Sequence, residues 1–418
     1  MRIPRLLLIA PIAVCVAVDP AVAADGGFTT AVRQITFGPQ HHFFGYIGHV
    51  RTIPWNQGER FIVVLRTDFQ ERMPRPGEAA DIVLVDMQNK FSERVIERTR
   101  AWNFQQGTML YWNPAAPETQ FFFNDRDPQT HEVFAVLFDI SKGTNGRRVT
   151  EYRFSDTPVG NSGVAQNGGW FCAINYARLA RLRPVTGYPG AHDWTLGVRH
   201  PTNDGIFKVN VVTKEKRLLI SFKQLADAVR PTHPEVDEKE LFINHTLWNR
   251  DDDRIYFFVR GDFDIAKKRL NVACVLKPDG TGLRLFSKFI GGHPDWEVGH
   301  RMIGVTDTEQ IIYDTDEQKV VGNIGSPALI PNPGGDIALS PDGKWFVNGH
   351  GDRGANHYTI LRLADGAWTR TVGLNQGGFT SGDLRVDPGP LWNRGSTQLL
   401  VPGVAPDGTR QLFVIDVK

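Results

Sequence analysis

The chain has 418 residues, with 47 Lys and Arg against 46 Asp and Glu, a formal net charge of +1. That balance excludes bulk electrostatic binding of nucleic acid, which needs a clear excess of basic charge. Past the N-terminus no apolar run reaches the roughly 20 residues that cross a bilayer, so no membrane span is expected; 42 Gly and 26 Pro mark a chain rich in turns.

The N-terminus reads as an export signal. Arg2 and Arg5 form a positive region, Leu6 to Val18 an apolar core, and Ala21-Val22-Ala23 a small-residue cleavage pattern. Residues 1–23 are expected to be removed. Residues 24–418 then form an exported protein, periplasmic or extracellular, whose net charge is zero once Arg2, Arg5 and Asp19 are gone. Two cysteines remain, Cys172 and Cys274. In an oxidising compartment they are either a disulfide or two buried apolar thiols.

Downstream, short apolar strands alternate with Gly, Pro, Asn and Asp turns, with almost no helical periodicity. Thr29–Phe37 reads as a strand with no sequence neighbour to pair with. A first repeat covers residues 46–98, with strands near Phe61–Leu65 and Asp81–Val85, and a second covers 107–154. The third, 163–222, is irregular; one short helix is expected within 218–230. The next three repeats begin near Asn244, Gly292 and Gly335, and a last one, from Gly382, supplies only about three strands. Units of about 50 residues and four antiparallel strands describe an all-β protein, a seven-bladed β-propeller in one domain. The N-terminal strand would fill the last blade and close the ring, which also protects the sheet edges.

Four strand openings share a pattern. His245, His293, Asp336 and Asp383 each stand three residues before an apolar anchor, at steps of 48, 43 and 47 residues. A lone Asp or His at a strand opening usually ties a loop through backbone hydrogen bonds. Four in register would line one arc of a central channel. Two imidazoles and two carboxylates suit a divalent cation or acid–base chemistry. The histidines and Tyr46 of His41-His42-Phe-Phe-Gly-Tyr46-Ile-Gly-His49 are further channel candidates. In Asn175-Tyr-Ala-Arg178-Leu-Ala-Arg181-Leu-Arg183-Pro184, three Arg alternate with apolar residues and no acid. Such forks suit carboxylates; the alternative is a solvated strand face, which normally mixes charge signs, as this segment does not. Tyr188, His192 and, from another loop, His131 would reach the same mouth. No Gly-x-Ser-x-Gly elbow, P-loop, dinucleotide fingerprint or His-Glu-x-x-His is present.

These segments, with Trp102-Asn-Phe-Gln105-Gln106-Gly-Thr-Met-Leu-Tyr-Trp112, the His-x-x-Trp strands and the Ser340-Pro-Asp-Gly turn, resemble the β-propeller polysaccharide lyases. The resemblance takes in the oligogalacturonate lyases and, in the N-terminal half, the ulvan-lyase-like propellers. It implies β-elimination on a uronic-acid-bearing oligo- or polysaccharide. Proton transfer and charge neutralisation would fall to His42, His131, Tyr188, Arg181 and His245, and substrate contacts to Arg178, Arg183, Gln106 and Tyr46. His293, Asp336 and Asp383 would hold a divalent cation, manganese, calcium or zinc. The Gln and His ligands of oligogalacturonate lyases just before the Ser-Pro-Asp-Gly turn are replaced here by Asn332-Pro-Gly-Gly-Asp336. This favours an ulvan-like or other uronate substrate over pectin fragments. A non-catalytic periplasmic propeller binding a protein or sugar is the alternative, and a metal-dependent hydrolase using the same ring is a third.

Overall fold

A computed structural model describes residues 27–45, 52–288 and 290–418. The segment expected to be an export signal, Tyr46 and His49 lie outside the described residues. Strand β1 (Thr30–Gln34) stands apart in sequence from the sheet it joins. Four antiparallel sheets follow in chain order. The first comprises β2 (His41–Phe43), β3 (Phe61–Thr67), β4 (Ala80–Asp86) and β5 (Ser92–Thr99); the second, β6 (Tyr111–Trp112), β7 (Gln120–Arg126), β8 (Val133–Asp139) and β9 (Arg147–Tyr152). The third comprises β10 (Gly160–Val164), β11 (Trp170–Ile174), β12 (Gly205–Asn210) and β13 (Lys216–Ser221); the fourth, β14 (Phe242–Trp248), β15 (Ile255–Gly261), β16 (Leu270–Leu276) and β17 (Arg284–Leu285).

The next two repeats form one nine-stranded sheet. One meander holds β18 (Gly291–Trp296), β19 (Arg301–Thr306), β20 (Glu309–Asp314) and β21 (Lys319–Asn323). The other holds β22 (Asp336–Leu339), β23 (Trp345–Asp352), β24 (Ala355–Arg362) and β25 (Trp368–Arg370), with β26 (Leu374–Asn375) also on β24. One parallel pair, His293 opposite Asp336, joins β18 to β22. The last sheet, β27 (Leu391–Trp392), β28 (Gln398–Val404) and β29 (Arg410–Val417), takes β1 as its fourth strand, Thr30 opposite Val417. Five four-stranded sheets and one of nine strands thus stand where seven separate blades were expected.

Middle strands such as β3, β7 and β15 read as continuous apolar runs because both of their faces are buried between neighbouring sheets. Outer strand β5 is mostly exposed or half-buried, and four of its eight residues are charged. Neighbouring sheets are tied by tryptophans at the ends of first strands. The indole N–H groups of Trp112, Trp248, Trp296 and Trp392 donate to the carbonyls of Pro54, Gly163, Leu247 and Ala338 at 2.7, 3.0, 2.8 and 3.2 Å. Each crosses to the sheet before it. The Asn after three of the chain's tryptophans, Asn56, Asn249 and Asn393, accepts backbone N–H groups and so fixes the turn into the next strand.

Helix α1 (Tyr176–Leu182) lies in the excursion between β11 and β12, and α2 (Phe222–Val229), capped by Ser221 and Gln224, falls within the expected 218–230. The Arg-rich segment is therefore a helix, not an alternating strand. Asn175 caps it by accepting Arg178 N–H at 2.9 Å. Cys172 and Cys274 are both free and buried, so of the two readings it is the pair of apolar thiols that holds.

Candidate functional site

A cavity of about 350 Å³ lies where the first strands of several sheets begin, lined by Gln105, Gln106, Arg183, Thr186, Asn244, His245, Arg260, Phe263, Asn271, Gly292, His293, Gly334, Arg385 and Asp387. Its residues come from strand openings, from the loops before them, and from second-to-third-strand connections. In an antiparallel meander these all collect at one end. Three guanidinium groups and two imidazoles face one carboxylate in this lining, so the cavity is basic although the chain is nearly neutral.

His245 reaches this wall through a distortion of β14. A bulge between Asn244 and Thr246 puts His245 at φ 63°, in the left-handed region. That conformation is costly for a non-glycine residue, and a bulge re-aims the side chain it carries. The His245 ring lies 6.1 Å from the His293 ring, centroid to centroid. On the far wall, Asn103 Oδ1 accepts the N–H groups of both Gln105 and Gln106, at 3.0 and 2.7 Å, folding a tight loop. Gly107 is required there: its φ is 60°, and a Cβ would sit 2.2 Å from the carbonyl oxygen of Phe44. The loop sends Gln106 Nε2 to Asn244 Oδ1 at 3.2 Å, and Gln105 Nε2 to the Asp383 and Arg385 carbonyls at 3.2 and 3.1 Å.

The acidic side is a compact array. His293 Nδ1 is 2.5 Å from Asp336 Oδ1, and Asp336 Oδ2 accepts Gly389 N–H at 2.9 Å. Asp387 pairs with Arg385 Nε at 2.7 Å. Burial and repulsion from Asp336 hold the Asp387 carboxyl above the usual carboxylate range, against the pull of Arg385 and His293. Burial disfavours the charged form of His293, but Asp336 and Asp387 outweigh it and raise its pKa. Burial lowers the Arg260 pKa to about 9, with repulsion from Arg183 adding to the effect.

Of the residues named from sequence, His245, His293, Arg183 and Gln106 line the cavity, with Asp336 directly behind His293. Asp383 sits in an exposed turn, and Asp387, four residues on, holds the position facing His293. Arg178 is buried and spends its guanidinium on the carbonyls of Leu241, Val198 and Arg199 and on Thr195. Arg181 pairs with Asp193 at 3.0 Å and with Glu240. Tyr188 is buried, stacked on Tyr176 at 4.4 Å, with its hydroxyl accepting from Asn124 at 2.9 Å. His42 is buried between Gln411 and Glu93, 2.9 and 3.1 Å from its two ring nitrogens. His131 is exposed on the β7–β8 hairpin. Arg260, Arg385, Asp387 and Asn271 were not singled out from sequence.

The architecture matches solved β-propellers. An oligogalacturonate lyase in complex with manganese aligns over 96% of this chain and 96% of its own, with a TM-score of 0.61 at 13% identity. The β-propeller domain of the Trilobed protease from Pyrococcus furiosus aligns over 89% and 95%, with a TM-score of 0.46 at 12% identity. TolB from Acinetobacter baumannii gives 83% and 77%, a TM-score of 0.40 and 11% identity. No family model matches the sequence, and no curated protein resembles it. The chain has a β-propeller fold.

The expected cation set does not fit. Among the described residues no group of three His, Cys, Asp or Glu side chains is placed to hold a metal ion. Both oxygens of Asp336 are committed, one to His293 and one to Gly389 N–H, and Asp383 is in the exposed turn. Among the described residues no helix is long and apolar enough to cross a membrane.

Proposed function

We propose that this protein is an exported polysaccharide lyase that cleaves a uronic-acid-bearing glycan by β-elimination. In this reading the nine-stranded sheet counts as two blades joined at their first strands, which makes a ring of seven closed by β1. The observation that carries the reading is the basic cavity, with His245 aimed into it from a strained bulge beside His293 and Arg183. The oligogalacturonate lyase likeness supports it at the level of fold.

β-Elimination makes three demands on such a cavity. The substrate carboxylate must be neutralised, because the proton on the adjacent carbon is very weakly acidic. A base must take that proton, and an acid must protonate the departing glycosidic oxygen as the C–O bond breaks and a C=C bond forms. His245 is the base in this proposal. His293, whose pKa Asp336 raises, supplies the proton to the leaving oxygen. Arg183 meets the carboxylate, and Gln106 and Asn244 bind sugar hydroxyls. No step needs a metal ion. Incubation with pectate, ulvan, alginate and glucuronan tests the reading. An unsaturated uronate product, seen by its ultraviolet absorbance, is expected on at least one of them. Saturated products, or none from all four, would overturn it.

A further inference from the structure

Phe263, on the β15–β16 connection, carries the guanidinium groups of Arg183 and Arg260, each 4.2 Å from its ring centroid, with the exposed Arg269 at 4.5 Å on the same ring. Arg260 also lies 4.2 Å from the Phe258 ring and is only 7% exposed. Its Nε donates to Asn271 Oδ1 at 2.9 Å. Among the described residues no carboxylate lies within 4.0 Å of Arg260. Arg183 has one acidic neighbour, the exposed Asp264 at 3.7 Å, and its buried Nε and Nη1 make no hydrogen bond among the described residues. Two guanidinium groups are thus held together, largely out of water, without the hydrogen-bonded anions that normally compensate such burial. Stacking on an aromatic face leaves a guanidinium's N–H edge free for a planar acid.

We infer that Arg183 and Arg260, set on Phe263 and oriented by Asn271, form an anion seat that receives the sugar carboxylate directly, with no metal ion between. The charge a divalent cation would supply is built into the chain, which agrees with the committed oxygens of Asp336. The ligand named here, a uronate, rests on the glycan reading above; the seat itself does not. Asn271 is a positioning residue: it holds the Arg260 fork through Nε and leaves the terminal nitrogens for the ligand.

The test uses the EDTA-dialysed full chain, with D-glucuronate, D-galacturonate, sulfate and neutral glucose as probes in calorimetric titration, and the variants Arg260→Gln and Arg183→Gln. A uronate is expected to bind wild type in EDTA and glucose not. Each variant should weaken that binding about 10- to 100-fold, the worth of a charged hydrogen-bonded contact. Added manganese should leave the affinity unchanged. Arg260→Gln removes an uncompensated buried charge, so its ligand-free melting temperature should equal or exceed that of wild type; a merely structural arginine would give a drop. Sulfate binding as tightly as the uronates would mean a general anion seat and would overturn the carboxylate assignment. Uronate binding that requires manganese, that survives Arg260→Gln, or that is absent would overturn the seat. Uronate binding without any unsaturated product would sink the lyase reading and leave the seat standing. Manganese-dependent cleavage would do the reverse.

Discussion

His42 and His245 both stand on the first strand of a sheet, yet the fold uses them in opposite ways. His42, on β2, has a protein partner at each ring nitrogen, Gln411 and Glu93, and no exposed surface. His245, on β14, is turned by a bulge onto the wall of a basic cavity. The difference lies in the backbone and neighbours, not in residue type. A regular strand delivers an imidazole into the packing between sheets, and a bulged one delivers it to the channel. The same contrast divides the arginines. Arg178 and Arg181, on α1, are consumed by carbonyls and carboxylates, whereas Arg183, just past the helix end, is left facing the cavity.

The sharpest way to break this contrast is to truncate both histidines. His245→Ala should lower turnover on the cleaved glycan about 10²- to 10⁴-fold, the usual worth of a proton-transfer group, with little change in stability. His42→Ala should leave turnover near wild type and cost about 1–3 kcal/mol in urea unfolding, because Gln411 and Glu93 lose a buried partner.

Asp336→Ala comes next. It strips both His293 and Gly389 N–H of their partner at the junction of three strand openings. A loss of roughly 3 kcal/mol is expected, at the low end for a broken buried pair because His293 is 35% exposed. Urea unfolding measures it, and Asp336→Asn, which keeps an acceptor, should lose less.

The pH dependence of Asp295 gives a smaller effect. Burial raises its carboxyl to about 6, against the pull of Arg250 and two backbone N–H groups. Between the ordinary value near 4 and about 6 the folded protein binds more protons than the unfolded chain, so this group's contribution to stability falls as pH rises through that window. Asp295→Asn should therefore gain on wild type, by about 2 kcal/mol, from pH 4 to pH 7. Unfolding curves at the two pH values show whether the difference grows; a constant difference would contradict the assignment. Smallest of all, Tyr188→Phe should cost about 1 kcal/mol by removing the acceptor for Asn124, with turnover unchanged. A large loss of turnover would restore Tyr188 as a reacting group.

Much of the fold was legible because strand repeats carry a local signal. The apolar runs at Phe61, Gln120 and Ile255, and the pairing of Thr30–Gln34 with the last sheet, follow from alternation, turns and a missing partner. The last repeat differs from its expected register: the apolar residue three after Asp383 is Val386, whereas the residue that ties this sheet to its neighbour is Trp392. A stronger signal was present: Trp-Asn recurs at 112–113, 248–249 and 392–393, where it ends a first strand each time, and also at 55–56 and 102–103, where it does not. Counting back three residues from Trp392 lands on Gly389, whose N–H donates to Asp336, and Asp387 stands two residues before it. The seat around Phe263 was not legible at all, since Arg183 comes from the third repeat and Arg260, Phe263 and Asn271 from the fourth, and they meet only when sheets three and four pack together.

One measurement bears most directly on the central claim. Ultraviolet absorbance is followed for wild type, His245→Ala and His42→Ala on a uronate polysaccharide, in EDTA. The account predicts a steady rise for wild type and for His42→Ala, and a loss of at least about 100-fold for His245→Ala. A flat trace for wild type on every uronate glycan, or a normal rise for His245→Ala, would contradict it.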